Sequence, residues 1–309
     1  MKKKGKILSL VFAMTFTTML FAGCTEKIIT RTDREGTEFT APKEVKTIIS
    51  TAPSNTEVLV ALGLADKLVA IDKYSADVEG VNTDLPQIEF RNPDAETLIS
   101  LDPNIIIASG HNKVGDNDPF KLIKEAGIPV AYIPSSYSID GIYEDIEFMA
   151  SITGTEKKGK EIIEDMKKEV AEIKAIGDKI TDKKKVYFEI GAGSKLSSFG
   201  SETFLNEMIE IIGAENIFKN EKSWISPSAE SIIDANPDVI LVNTPGRNTA
   251  GKTAVEDVNS RDGWNSINAI KEDKIFTLDK NSSSRSSQNI IKALKEMARY
   301  LYPEVYGNK

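Results

Sequence analysis

The sequence predicts an α/β protein: two Rossmann-like lobes, each built on a central, mainly parallel sheet, joined by one long α-helix. Three observations carry that expectation. Short apolar strands alternate with helices on both sides of the chain's centre, the pattern of parallel sheets covered on both faces. Residues 153–180 form one amphipathic stripe, with Ile162, Ile163, Met166, Val170, Ile173, Ile176 and Ile180 three or four positions apart. A helix of about 25 residues spans roughly 37 Å, longer than most globular helices. Finally, the two halves repeat each other. The predicted boundaries are a signal segment over 1–23, a tether over 24–45, an N-terminal lobe over 46–152, the linking helix over 153–180 and a C-terminal lobe over 181–309.

The chain opens with MKKKGK, continues through the apolar run ILSLVFAMTFTTMLFAG and reaches Cys24, its single cysteine. Lysines, an apolar run and small residues make a secretory signal. Phe21-Ala22-Gly23-Cys24 resembles a bacterial lipobox, which makes Cys24 the expected lipid attachment point and the outer face of the cell membrane the expected location. An ordinary signal peptide or an uncleaved anchor is the alternative. One lipid chain holds a protein only marginally, so stable anchoring needs more than one. Without residues 1–23 the chain has 286 residues, enough for two domains. Four lysines leave with that segment, and the net charge moves from −8 to −12. An acidic exported protein is not built to bind nucleic acid. One cysteine allows no disulfide framework, so each lobe is held by its packing.

Residues 25–46 are polar, with a turn signal at Glu35-Gly36 that suits a short hairpin. In the first lobe, strands are expected at 46–50, 68–71, 105–108 and 130–133. Helices are expected at 56–62, 93–101, 119–126 and 139–152. Thr153 with Glu156 reads as a capping box for the long helix, and Gly177 weakens its far end. The pattern then restarts, with strands at 186–190, 239–242 and 275–278. Helices follow at 203–212, 227–235, 264–270 and 287–301.

The repeat is explicit. Asn92-Pro93-Asp94-Ala95-Glu96, then Asp102-Pro103, recurs as Ser226-Pro227-Ser228-Ala229-Glu230, then Asn236-Pro237, displaced by 134 positions. Asn92 and Ser226 suit N-caps and Pro93 and Pro227 the first helical position. Glu96 and Glu230 then end the first turn of each helix. A carboxylate there gains about 0.3–1 kcal/mol from the helix dipole, and a duplicated fold repeats its caps. Two copies of one unit imply two similar lobes about an approximate two-fold axis.

The segments PSNTE, NPDAETLISLDPNIIIAS, the Glu230 segment and RDGWNSINAIKEDKIFTLD resemble the class III substrate-binding proteins of ABC importers. These carry ferric siderophores, haem or cobalamin. The resemblance runs from about residue 44 to 301. It implies two α/β lobes joined by a long helix, a metal-chelate ligand between them, and as partners an ABC permease dimer with its cytoplasmic ATPase. It also implies that Glu96 and Glu230 dock onto permease arginines, one per lobe. Ligands of open α/β sheets sit beyond the carboxyl ends of the strands. The cleft is therefore expected to be lined by Ser54, Asn55, Tyr74, residues 109–111, Ser135 and Ser136 in the first lobe. Residues 191–193, 244–247 and 281–285 are expected in the second. Tyr74, Phe90, Trp224 and Arg285 match cleft-facing positions of cobalamin-binding members.

His111 is the single histidine. It reads either as a solvated loop residue or as a ligand to a haem or corrinoid metal. One histidine argues against the zinc- and manganese-binding class, so no metal site of the protein's own is expected. Phe90 and Trp224, at matching places in the two copies, form either a facing aromatic pair over a macrocycle or staples over the helix starts. Arg285, with Arg91 and Arg247, would pair with an anionic iron complex. The run from Gly191 to Lys195 lacks the third glycine of a dinucleotide fingerprint, and no Ser/His/Asp grouping is evident. The expectation is a non-enzymatic, cofactor-free binding protein for a ferric siderophore or haem. A cobalamin-binding protein, a two-lobed metallo-oxidoreductase or dinucleotide enzyme, and a surface receptor without transport are the competing readings.

Overall fold

The computed structural model describes residues 29–307 except 114, 116, 135, 193–194, 245–247 and 249. Cys24 and Arg247 therefore lie outside the described residues.

The first lobe is a five-stranded, all-parallel sheet. Its strands are β3 (Ile48–Ser50), β4 (Leu68–Asp72), β5 (Gln87–Ile88), β6 (Ile105–Ser109) and β7 (Val130–Ile133), in the order β5-β4-β3-β6-β7. The helices α1 (Pro53–Ala61), α2 (Ala95–Ser100), α3 (Lys121–Glu125) and α4 (Ile139–Thr153) connect and cover it. Strand β6 is buried along its whole length, as its unbroken apolar run requires of a central parallel strand. One core lies on each face. Ile49, Leu98, Ile106 and Tyr132 belong to one, and Ile48, Leu59, Ile107 and Ile142 to the other.

The region expected to be a tether is largely folded. Strands β1 (Ile29–Thr32) and β2 (Glu38–Ala41) form an antiparallel hairpin. Its turn is fixed by Asp33, whose carboxylate accepts from the amides of Glu35, Thr37 and Tyr132. Arg34 pairs with Asp145 at 2.8 Å and Glu144 at 2.7 Å on α4, while Phe39 and Ala41 enter the core. The sequence there is polar because these polar groups bond to the lobe's edge strand and helix.

The linking helix α5 runs Glu156–Gly177, shorter than the expected 153–180. Gly154, at φ 71°, ends α4 in a left-handed cap. Thr153 is the last residue of α4 and donates to the Met149 carbonyl at 2.7 Å, so it is not the cap of α5. At 1.5 Å per residue, α5 spans about 33 Å. Its two ends touch the lobes through glycines. A Cβ at Gly159 would lie 2.5 Å from the Ala150 Cβ of α4, and one at Gly177 would lie 2.2 Å from the Ile211 carbonyl oxygen. Gly177 is thus a close-packing contact rather than a weakness. Lys295 pairs with Glu169 at 2.7 Å to hold the helix to the second lobe.

The second lobe comprises β8 (Lys185–Glu189), β9 (Gly191–Ala192), β10 (Leu196–Phe199), α6 (Phe204–Ile211), β11 (Glu215–Asn216), β12 (Trp224–Ile225), α7 (Ala229–Ala235), β13 (Val239–Val242), α8 (Ala254–Asn259), α9 (Asn268–Lys271), β14 (Ile275–Thr277), α10 (Ile290–Leu301) and α11 (Pro303–Tyr306). Its main sheet is parallel, in the order β11-β8-β13-β14. Strands β9, β10 and β12 form a small antiparallel sheet beside it. These short strands and α8 escape the sequence pattern because two to six residues carry too little periodicity.

The repeated helices begin two residues later than the sequence suggests. The caps are Asp94 and Ser228, whose side chains accept from the amides of Thr97 and Ser231. Both sit in extended backbone, and the prolines lie just outside the helices. Glu96 and Glu230 are consequently the second residue of α2 and α7, and both are exposed.

Candidate functional site

A cleft of about 820 Å³ lies between the lobes, within the range of roughly 300–1,000 Å³ usual for small-molecule sites. Loops following every strand of the first sheet reach it, through Pro53 and Ser54, Tyr74 and Asp77, Phe90, His111, and Pro134. Among the described residues, the second lobe contributes the loop 278–286 after β14. A neighbouring cavity of about 400 Å³ is lined by Ile190, Leu205, Trp224, Asn243 and Thr244, and it shares Lys280 and Ser284 with the main cleft. Both cavities lie beyond the carboxyl ends of the parallel strands, where the α/β topology places ligands.

Of the residues expected at the site, Ser54, Tyr74, Phe90, Ser109, His111, Asn281, Ser284 and Arg285 line the main cleft. Tyr74 is 57% exposed, with the Lys73 ammonium 5.2 Å from its ring centroid. Phe90 faces the same cavity, and its backbone carbonyl accepts from the buried Asn112. Trp224 is 44% exposed in the smaller cavity and packs edge-on against Phe199 at 6.2 Å. Phe90 and Trp224 thus line separate cavities and do not face each other as a pair. Asn55 and Ser136 are buried structural groups, bonded to the Ala108 carbonyl and to Asp145 respectively.

His111 sits on the turn after β6, where Ser109 caps the turn and accepts from the His111 amide. Loss of hydration and the nearby Arg91 cation hold its imidazole below the usual value, against a smaller pull from Glu35. The residue nevertheless keeps an exposed surface. Arg91 is exposed beside the cleft rather than among its lining residues.

Arg285 does not present a free guanidinium. It spans the lobes, bonding to Glu57 of α1 at 2.9 Å, Asp77 at 2.8 Å and the Tyr74 carbonyl at 3.1 Å. Burial pulls its pKa down, and the hydrogen bonds it donates to Glu57 and Asp77 more than reverse this. Glu57 is 4% exposed. It also accepts from Ser287 and, at 2.9 Å, from Asn289, while its carbonyl accepts from Gln288 at 3.2 Å. Burial raises the Asp77 carboxyl, but hydrogen bonds from Arg285 and from Asn281 at 3.0 Å outweigh it and leave it below the usual range. The sequence shows Glu57 as the last residue of the PSNTE segment and gives no sign of its partners, which lie about 230 positions on. A second contact joins the lobes where Glu207 of α6 accepts from the Ile139 amide at 2.7 Å.

Ser282 and Ser283 are buried and fix the loop internally, both bonding to Asp279. The serine-rich run is a structured cap rather than a flexible linker. Among the described residues, no cluster of His, Cys, Asp and Glu is arranged to hold a metal ion, and no helix is long and apolar enough to cross a membrane.

A family model described as periplasmic binding protein matches residues 48–282. A substrate-binding lipoprotein of an ABC transporter in Bacillus subtilis is 31% identical over 283 residues, covering 90% of this chain and 87% of that one. A vitamin B12-binding protein of Vibrio parahaemolyticus is 23% identical, covering 84% of this chain and 90% of that one. The crystal structure of a possible iron-binding, periplasmic solute-binding protein from Staphylococcus epidermidis is 31% identical with a TM-score of 0.74, covering 84% of this chain and 100% of that one. The chain belongs to the periplasmic binding protein family, among the substrate-binding proteins of ABC importers.

Proposed function

We propose that this member of the periplasmic binding protein family captures an iron complex, a ferric siderophore or haem, in the inter-lobe cleft and delivers it to its permease. The observation that carries the reading is the cleft's construction. Two aromatic rings, Tyr74 and Phe90, and the imidazole of His111 line one wall, opposite a hydroxyl- and amine-bearing loop. Flat apolar surface with a few convergent polar groups is what a chelate or macrocycle requires. A neutral His111 keeps a lone pair for a metal centre. The 31%-identical structure described as possibly iron-binding supports iron over cobalamin.

Glu96 and Glu230, exposed at equivalent positions of α2 and α7, dock onto arginines of a two-fold permease whose ATPase lies in the cytoplasm. Cys24 carries the lipid that keeps the protein at the outer face of the membrane. Mass spectrometry of the membrane-extracted protein tests this, since a diacylglyceryl adduct on Cys24 is expected and an unmodified N-terminus contradicts it. The ligand is tested by quenching of Trp224 fluorescence with haemin, a ferric tris-catecholate and cyanocobalamin. Saturable binding of an iron complex is expected. Binding of cyanocobalamin alone would replace the reading with the cobalamin one.

A further inference from the structure

Among the described residues, three Lys or Arg side chains line the main cleft: Lys73, Lys280 and Arg285. Two of them already have carboxylate partners. Lys73 bonds to both carboxylate oxygens of Glu89, at 2.9 and 3.0 Å. Arg285 is held by Glu57 and Asp77. Lys280 has no carboxylate partner among the described residues. It also stands where the two cavities meet, since it lines both.

The backbone that carries Lys280 is fixed. Its carbonyl accepts from the hydroxyls of Ser283 and Ser284. The preceding residue, Asp279, accepts from the amide and hydroxyl of Ser282 at 2.8 and 2.7 Å. Five residues on, Arg285 ties the loop to the first lobe, and Ser287 and Asn289 add two more bonds to the same Glu57. A lysine on a mobile loop loses much of its attraction to the entropy of ordering; a lysine on a locked loop does not.

We propose that Lys280 is the residue that meets the anionic groups of the cargo, and that Glu57 and Asp77 position it by locking its loop through Arg285. This rests on the cleft being the cargo site. The cargo class is an anionic chelate, bearing carboxylates or catecholate oxygens. Arg285 is then a positioning residue and does not touch the cargo.

The test titrates wild type, Lys280→Met, Arg285→Met and Glu57→Gln with haemin and a ferric tris-catecholate, with cyanocobalamin as the uncharged reference, at several sodium chloride concentrations. Lys280→Met should weaken the anionic probe about tenfold, the scale of one charge-assisted hydrogen bond. It should also flatten the salt dependence by about one charge. Arg285→Met and Glu57→Gln should lower thermal stability and weaken binding while leaving the salt dependence steep. Anionic binding that survives Lys280→Met unchanged, or a salt dependence flattened by Arg285→Met instead, overturns the assignment and leaves the cargo reading standing. If wild type binds only cyanocobalamin, or none of the three probes, both fall together. Lys280 is exposed, so its substitution does not endanger folding.

Discussion

The first lobe meets the cleft with loops from all five strands of its sheet, whereas among the described residues the second reaches the main cavity through the loop after β14. Away from the cleft the lobes share one repeated unit. Helices α2 and α7 begin with the same cap geometry, carry Glu96 and Glu230 at the same helical position, and each leads through a proline into a buried parallel strand. What is repeated faces outward at two equivalent places, as a two-fold partner requires. What differs faces the cleft, the site proposed for one asymmetric cargo. The clamp follows the same division. The first lobe supplies the carboxylates of Glu57 and Asp77, and the second supplies Arg285, Asn281, Ser287 and Asn289.

The sharpest way to break this arrangement is at the linking helix. Gly177→Ala places a methyl 2.2 Å from a backbone oxygen of α6. Backbone yields less readily than a side chain, so a loss of about 3 kcal/mol is expected. Calorimetry should show a melting temperature lower by about 5 °C or more. Gly159→Ala meets the Ala150 methyl at 2.5 Å and should cost less, about 2 kcal/mol. Equal melting temperatures for the two variants would mean that the helix is not fastened more tightly to the second lobe.

The clamp comes next. Glu57→Ala leaves Arg285, whose side chain is 11% exposed, without its buried partner. Removing one member of such a pair costs about 3 kcal/mol, to be read from urea unfolding. Asp77→Asn should cost under about 1 kcal/mol, because that carboxylate is 57% exposed and screened. The sign of its pH dependence follows from the lowered pKa. The Asp77 contribution is fully present above the ordinary value of 3.8 and is lost as pH falls through the lower folded value. Wild type and Asp77→Asn should therefore converge in stability only in strong acid.

The smallest expected effect concerns the cleft wall. His111 is the single histidine, so its NMR titration is resolved without assignment. Its midpoint should lie below 6.5, and Arg91→Ala should move it upward by removing a repelling cation. A midpoint unmoved by that substitution would leave burial as the whole cause.

Much of the frame was legible in the sequence because buried parallel strands and repeated caps are local patterns. Val130–Ile133 and Val239–Val242 have the boundaries their apolar runs imply. The two-residue shift of the α2 and α7 caps arose because Asn92 and Asp94, or Ser226 and Ser228, are chemically equivalent caps, and only backbone geometry chooses between them. The site was legible as a set of loops but not as a set of roles. Arg285 looked available because its partners, Glu57 and Asp77, lie more than 200 positions away. Lys280 was passed over because its value comes from lacking a partner, which no sequence shows. The hairpin was legible from its Glu35-Gly36 turn, but its attachment to the lobe was not, because the bonds of Asp33 to Tyr132 and of Arg34 to Asp145 join residues about 100 positions apart.

The division between repeated outer surface and unrepeated cleft is tested most directly by Glu96→Lys/Glu230→Lys, measured for cargo affinity and for uptake of the same iron complex by cells. The expected result is uptake abolished with the dissociation constant within about twofold of wild type, since both carboxylates are exposed on helices outside the cleft lining. Normal uptake would contradict the docking role, and a large loss of affinity would contradict the separation of the two surfaces.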